Sequence, residues 1–306
     1  DDYRRLLEDK NVQGVIIATP LYLHGRMTMD ALRAGKRVFC EKSMAFTLDE
    51  TLEVYNLRKE LGGVLLIGQQ RLFDPKYIKA MQMIHEGVIG DVVGVRNYWY
   101  RNNDWRREVP SPELERRINW RLYSEYSRGL MTELACHHLQ NGSWAMGMLP
   151  EKVMGSGSLI HWNNVDKRDV YDCVTAIFTY PNGVNMTFES IISNKHFGMG
   201  EQILGSKGTI DLVTGMHYTD EPAPKGSGMH QLVEQIENGV MSNSVFAGTS
   251  WAAETSALAP GLPIMQNVKV VSGESSVGAE ADGSKELVEA FAHAVITGKQ
   301  PEKVLE

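Results

Sequence analysis
Cysteine is scarce: Cys40, Cys136 and Cys173 are three in 306 residues. They are too few and too scattered for a disulfide framework or a cysteine-based zinc site, and read as small buried hydrophobes. No run approaches about 18 consecutive apolar residues, which excludes a transmembrane helix. Positive charge is also short, with 31 Lys and Arg against 38 Asp and Glu for a net charge of −7. A nucleic-acid binder would carry a basic face instead. The dinucleotide fingerprint G-x-G-x-x-G, which follows a strand and precedes an acid about 20 residues on, does not occur. Gly155-Ser-Gly157 lacks the third glycine, and Gly198-Met-Gly200 falls among antiparallel strands. No fixed-period repeat is present. The opening DDYRRLLEDK holds no signal peptide, so the sequence leaves the compartment open between the cytoplasm and, if an export signal precedes Asp1, the periplasm.

What remains is ordinary globular composition, 42% hydrophobic and 23% charged. The length suggests two domains. Up to about residue 95, strand and helix alternate. VQGVIIAT, KRVFCEK and VLLIGQQ are short apolar runs of strand character. Between them lie HGRMTMDALRAG and TLDETLEVYNLRKELGG, the latter with Thr47 and Glu50 at capping-box spacing. PKYIKAMQMIHEGVIG follows the third strand. This pattern implies βαβ units and a parallel sheet.

From Asp91 the pattern changes, with VVGVRNYWYR reading as a long strand. After an arginine- and aromatic-rich stretch and an apolar helix from about Gly129 to Met148 come runs of strand character. Tyr180-Pro-Asn-Gly183 and Gly205-Ser-Lys-Gly208 read as hairpin turns. The expectation is a Rossmann-type α/β domain over 1–95 and an α+β domain with a large, mainly antiparallel sheet over 96–306. Residues 220–283 are rich in Gly, Ser, Ala and Pro and read as a functional or mobile loop. KELVEAFAHAVITGK is a closing helix.

In an open parallel sheet, ligands sit beyond the carboxyl ends of the strands. Three polar clusters fall there: Thr19-Pro20 through His24, Glu41-Lys42-Ser43, and Gln69-Gln70-Arg71. Lys42, directly after an apolar strand, can stabilise developing negative charge on a substrate oxygen, or is a solvated lysine beside Glu41. A second cluster is Glu133, His137 and Asn141, spaced by four on a helix. There His137 suits a general base that Glu133 orients. The alternatives are half of a metal site lacking its other ligands, or satisfied helix polars. His138 faces elsewhere and reads as structural. No metal is called.

The stretch 96–128 holds three of the six tryptophans, Trp99, Trp105 and Trp120, with several tyrosines, many arginines and no lysine. Aromatic faces stack on sugar rings while Arg, Asn and Asp bond hydroxyls. Arg71, Arg101, Asn103, Asp104, Trp105, Arg106, Asn119, Trp120 and Arg121 are the candidates. A cation–π-laced domain junction is the competing reading.

IIATPLYLHGRMTMDALRAGKRVFCEKSMAFT, IHEGVIGDVVGVR, GLMTELACHHLQNGSWAMG, LGSKGTIDL and FAHAVITGKQPE occur in an order that resembles the Gfo/Idh/MocA oxidoreductases, the relatives of glucose–fructose oxidoreductase and inositol dehydrogenase. The resemblance implies hydride transfer between NAD or NADP and a hydroxyl of a sugar, glycoside or cyclitol. It casts Lys42 as the lysine of the family's E-K-P motif, touching the reacting hydroxyl and the cofactor. His137 takes the place of the acid/base, and Glu133 stands where the family usually has Asp. Thr19, Pro20, His24, Glu41 and Gln70 fall on the nicotinamide side. Ser43 replaces the motif's proline, and Gln140 stands where Asp is common. By the same resemblance the nucleotide-binding domain is expected to be incomplete in this chain, lacking its first strand, glycine loop and acidic ribose contact. A homodimer or homotetramer through the open sheet face is expected. A glycosidase working by transient oxidation and elimination, and a non-catalytic sugar-binding protein on a degenerate dehydrogenase fold, are the alternatives.

Overall fold
Strand β1 (Gly14–Ile17), β2 (Arg37–Cys40) and β3 (Leu65–Ile67) pair in register as a parallel sheet in the order β1-β2-β3. The computed structural model describes residues 2–219, 262–264 and 282–301, so most of the 220–283 segment lies outside the described residues. Helix α1 (Arg4–Glu8) leads into β1. Helices α2 (His24–Arg33) and α3 (Leu48–Leu61) return the chain from β1 to β2 and from β2 to β3. The expected capping box forms: Thr47 Oγ1 accepts from the Glu50 backbone N–H at 3.1 Å, and the Glu50 carboxylate accepts from the Thr47 N–H at 3.2 Å. It satisfies N–H groups that the first helical turn otherwise leaves without partners.

Alternation along β2 sends its side chains to two cores. Val38 and Cys40 pack with Ala31, Leu32 and Val54 of α2 and α3. Phe39 faces the other way, onto Phe291 of the closing helix, with ring centroids 5.7 Å apart. That helix (Ser284–Thr297) therefore covers the parallel sheet. Although it falls within 96–306 in sequence, its apolar stripe of Leu287, Phe291 and Ala294 finds its buried surface on the first domain.

Helix α4 (Pro75–His85) leads into β4 (Val92–Tyr100), the central strand of an eight-stranded sheet. Its neighbours are β5 (Lys152–Ser158), β6 (Cys173–Thr179), β7 (Asn185–Ile191), β8 (Met199–Gly205), β9 (Gly208–Asp211), β10 (Met216–Tyr218) and β11 (Leu262–Pro263). The order is β11-β10-β9-β8-β4-β7-β6-β5, antiparallel throughout except for β4 beside β7. Both expected hairpins are present, joining β6 to β7 and β8 to β9. Gly183 adopts φ +85°, which the first turn requires and a Cβ would disfavour. The inner face packs Phe188, Met186 and Ile203 against α4 and against α6 (Cys136–Met146). The short α5 (Glu115–Ile118) lies in the loop between β4 and α6. On the outer face Met154, Ile177, Tyr98 and Tyr100 stand clear of that core, Met154 70% exposed. No described helix is long and apolar enough to cross a membrane.

Candidate active site
Two consecutive residues beyond the end of β2 reach two consecutive carbonyls of the second domain. Lys42 Nζ donates to the Glu133 carbonyl at 2.7 Å and Ser43 Oγ to the Thr132 carbonyl at 3.0 Å. The peptide bond joining them is cis. The carbonyls belong to a π-helical turn, Met131–Ala135, which leads into α6. Each i→i+5 turn holds about one residue more than an α-helical one. Glu133 lies within this turn and His137 in the helix that follows, and both line the same cavity.

The two divide the labour in a way that the spacing did not predict. The Glu133 carboxylate, 8% exposed, accepts from Arg121 Nε at 3.0 Å and lies 3.7 Å from Lys42 Nζ. No hydrogen bond joins it to His137, so the expectation that Glu133 orients the histidine is corrected. His137 Nδ1 instead lies 2.9 Å from Gln69 Oε1. An amide oxygen only accepts, so Nδ1 carries the proton and Nε2 keeps its lone pair. Burial, with the nearby Arg71 and Lys42 cations adding to it, pushes the His137 pKa down to about 3. The ring is neutral at ordinary pH.

His137 and Lys42 each line two cavities. The larger, of about 550 Å³, is walled by Trp99, Arg101, Asn103, Trp105, Arg106, Arg107, Arg121, Glu133 and Leu134. The smaller, of about 150 Å³, lies at the carboxyl ends of β2 and β3 and is lined by Phe39, Glu41, Gly68, Gln70 and the first turn of the closing helix, Ser284, Leu287 and Val288. This is the carboxyl edge of the parallel sheet, where such folds place nucleotides. Its residues fit the reacting end of a nicotinamide: an apolar wall of Phe39, Leu287 and Val288, the polar side chains of Glu41, Gln70 and Ser284, and direct access to Lys42 and His137. The 306 residues contain no glycine fingerprint for the pyrophosphate, and no residue is assigned to that part.

Several expected contacts fall elsewhere. His24 is 2% exposed, with Nδ1 2.7 Å from the Ser43 carbonyl and Nε2 2.8 Å from the Thr19 carbonyl. It is a strut between two loops, and its ring has no nitrogen left for a cofactor. Neither cavity is lined by Thr19 or Pro20; the Thr19 hydroxyl is 3.6 Å from Met27 Sδ. Arg71, expected on the substrate, is 7% exposed and paired with Glu201 at 2.5 Å. Glu201 is fully buried and also accepts from Tyr77 at 2.5 Å and Asn141 Nδ2 at 3.1 Å, with His138 Nδ1 2.7 Å away. Burial alone would raise this carboxyl, but Arg71 and His138 overcome it and hold it at about 2. Asn141 thus faces Glu201 and not the site. His138 proves structural, its ring packed near Trp99 and Phe188.

The 101–121 loop divides likewise. Arg101, Asn103, Trp105, Arg106 and Arg121 line the larger cavity, whereas Asp104 and Trp120 do not. Asp104 turns the chain, accepting from the Arg106 N–H at 3.0 Å while its carbonyl accepts from Arg168 at 2.9 Å. Trp120 lies under the Arg121 guanidinium at 4.3 Å. Asn119, 2% exposed, clasps the Arg107 backbone through both amide atoms. Trp105 sits at φ +59°, a costly conformation for a bulky residue, held by the Asn103 side chain accepting its N–H at 2.7 Å. Gln140 faces a separate apolar cavity with Leu139 and Trp144. Gln69 stands in the polar cluster after β3 that the sequence marks, although the sequence gives it no role, and Arg107 carries no local signal. Among the described residues no three His, Cys, Asp or Glu side chains gather as a metal site.

Residues 77–211 match the family model described as the GFO/IDH/MocA C-terminal domain, and residues 1–69 the one described as the oxidoreductase family, NAD-binding Rossmann fold. The chain is 24% identical over 218 residues to a scyllo-inositol 2-dehydrogenase (NAD(+)) of Bacillus subtilis, covering 71% of this chain and 60% of that one. It is 29% identical over 215 residues to a 2,7-anhydro-N-acetylneuraminate hydratase of Escherichia coli, covering 68% and 53%. It thus spans between half and two thirds of these curated relatives. Among solved structures, an oxidoreductase domain protein from Kribbella flavida superimposes with a TM-score of 0.72 at 21% identity, covering 99% of this chain and 76% of that one. That likeness concerns the fold.

Proposed function
The chain belongs to the Gfo/Idh/MocA oxidoreductase family, and from that premise we propose that it oxidises a hydroxyl of a sugar, glycoside or cyclitol with NAD or NADP. The observation that carries this reading is that the larger and smaller cavities share Lys42 and His137. A group in one cavity and a group in the other meet at a base and a cation.

In this reading the carbohydrate occupies the larger cavity, and its hydroxyl proton passes to Nε2 of the neutral His137. Gln69 fixes the tautomer that leaves this nitrogen free. Lys42 Nζ, held by the Glu133 carbonyl and carboxylate, donates a hydrogen bond to the same oxygen as it gains negative charge. Arg121 steadies Glu133 from the other side. Glu41 and Gln70 stand where they would hold the nicotinamide carboxamide end. Bound there, the nicotinamide supplies an acceptor for the hydride that leaves the carbon bearing the hydroxyl. The test is nicotinamide reduction against a panel of sugars and cyclitols. His137→Ala and Lys42→Ala are each expected to abolish it, and near-wild-type rates in both would refute the assignment.

The relative named as a hydratase supports a second reading, in which the same residues serve transient oxidation and elimination. Product formation without net nicotinamide reduction separates the two. We further propose that copies of the chain associate through the outer sheet face, where Met154 and Ile177 lie side by side across β5 and β6.

A further inference from the structure
The wall of the larger cavity carries five cations, Lys42, Arg101, Arg106, Arg107 and Arg121, and a single carboxylate, Glu133. The chain as a whole has a net charge of −7, so the cavity runs against the rest of the molecule. Three of the five have carboxylate partners within the protein. Arg106 lies 2.8 Å from Glu115 and 3.2 Å from Asp166, and Arg121 and Lys42 share Glu133. Arg101 and Arg107 have no carboxylate partner among the described residues. Arg101 rests on Trp99, 5.4 Å from the ring centroid. Arg107 is fixed only by its backbone, which Asn119 clasps from both sides.

A neutral sugar gives little reason for this arrangement. Hydroxyls are served by Asn and by arginines already paired, and every uncompensated guanidinium raises the potential that its neighbours must bear. An anionic substituent removes that cost. It accepts charge-assisted, bidentate hydrogen bonds from the planar forks of the two arginines, and a cleft of one sign draws it in from solution. Arg107 is exposed, Arg101 half-buried and His137 buried, so both unpaired cations lie nearer solvent than the ring that would meet the reacting hydroxyl.

Resting on the reading of this cavity as the carbohydrate site, we propose that the substrate is a sugar bearing an anionic group, a carboxylate or a phosphate or sulfate ester, held by Arg101 and Arg107.

The test is calorimetric titration of the protein, with and without NADH, with the uronates and 6-phosphates of glucose, galactose and mannose beside the parent sugars and inorganic phosphate. At least one anionic sugar is expected to bind tenfold or more tightly than its neutral parent, the scale of a hydrogen bond to a charged group. The Arg101→Gln, Arg107→Gln double variant should lose that preference, anionic and parent sugars then binding alike, while keeping its melting temperature. Whether uronate or phosphate ester wins identifies the group. Equal binding of neutral and anionic sugars, a preference that survives the double substitution, or inorganic phosphate binding as tightly as the best anionic sugar overturns the proposal. An arginine-dependent preference without nicotinamide reduction would uphold this inference and defeat the oxidoreductase reading. Reduction driven by neutral sugars alone, with no anion preference, would do the reverse.

Discussion

His137 Nδ1 lies 2.9 Å from the side-chain oxygen of Gln69, a residue 68 positions away and on the other domain. This contact fixes the tautomer of the ring and, with those of Lys42 and Ser43 to the carbonyls of Glu133 and Thr132, ties the two domains together. Gln69 follows β3, while His137 opens α6, so each domain contributes half of the relation.

Removing either partner should therefore act on turnover more than on binding. His137→Ala is expected to lower kcat by about 10²–10⁴-fold, the usual contribution of a positioned base. Gln69→Leu removes one hydrogen bond and should cost about tenfold in kcat with KM little changed. A large rise in KM at constant kcat would mark Gln69 as a substrate contact and not an orienter of the ring.

The acid limb of activity should lie well below the ordinary histidine range. Burial and the Arg71 and Lys42 cations push His137 down to about 3, so the ring stays an acceptor at mildly acid pH. The same shift acts on stability. A ring protonated below about 6.5 in the unfolded chain but not in the folded one contributes fully above that pH. Its contribution is lost as pH falls toward 3, because protons then favour the unfolded state. A pH–rate profile with its acid limb at 6.5, unmoved in His137→Gln, would refute this assignment.

Glu201 should matter to folding more than to chemistry. Its carboxylate is buried with Arg71, Tyr77, His138 and Asn141 around it. Glu201→Ala leaves Arg71 as an unpaired buried cation and is expected to cost about 3–5 kcal/mol in denaturant unfolding. A change below about 1 kcal/mol would mean that water reaches the arginine.

On the outer sheet face, the double variant Met154→Asp, Ile177→Asp should shift light-scattering mass toward the monomer, since it places charge on an apolar cross-strand pair. A wild-type protein that is monomeric at micromolar concentration would contradict association through this face.

The sequence by itself determined the parts whose causes are local. Short continuous apolar runs set β1 to β3, Thr47 with Glu50 set the start of α3, and Gly183 set the hairpin between β6 and β7. Lys42 and His137 were legible because each follows a pattern, one at the end of an apolar strand and the other in a polar helix segment. Tertiary structure decided which partners those residues find. The pairing of Glu133 with Arg121 and Lys42, the pairing of Arg71 with Glu201, and the choice of Gln69 as the ring's partner all join residues that the sequence does not place together. Such contacts depend on which buried polar group can satisfy which other one once the domains have packed, and spacing along the sequence carries no record of that.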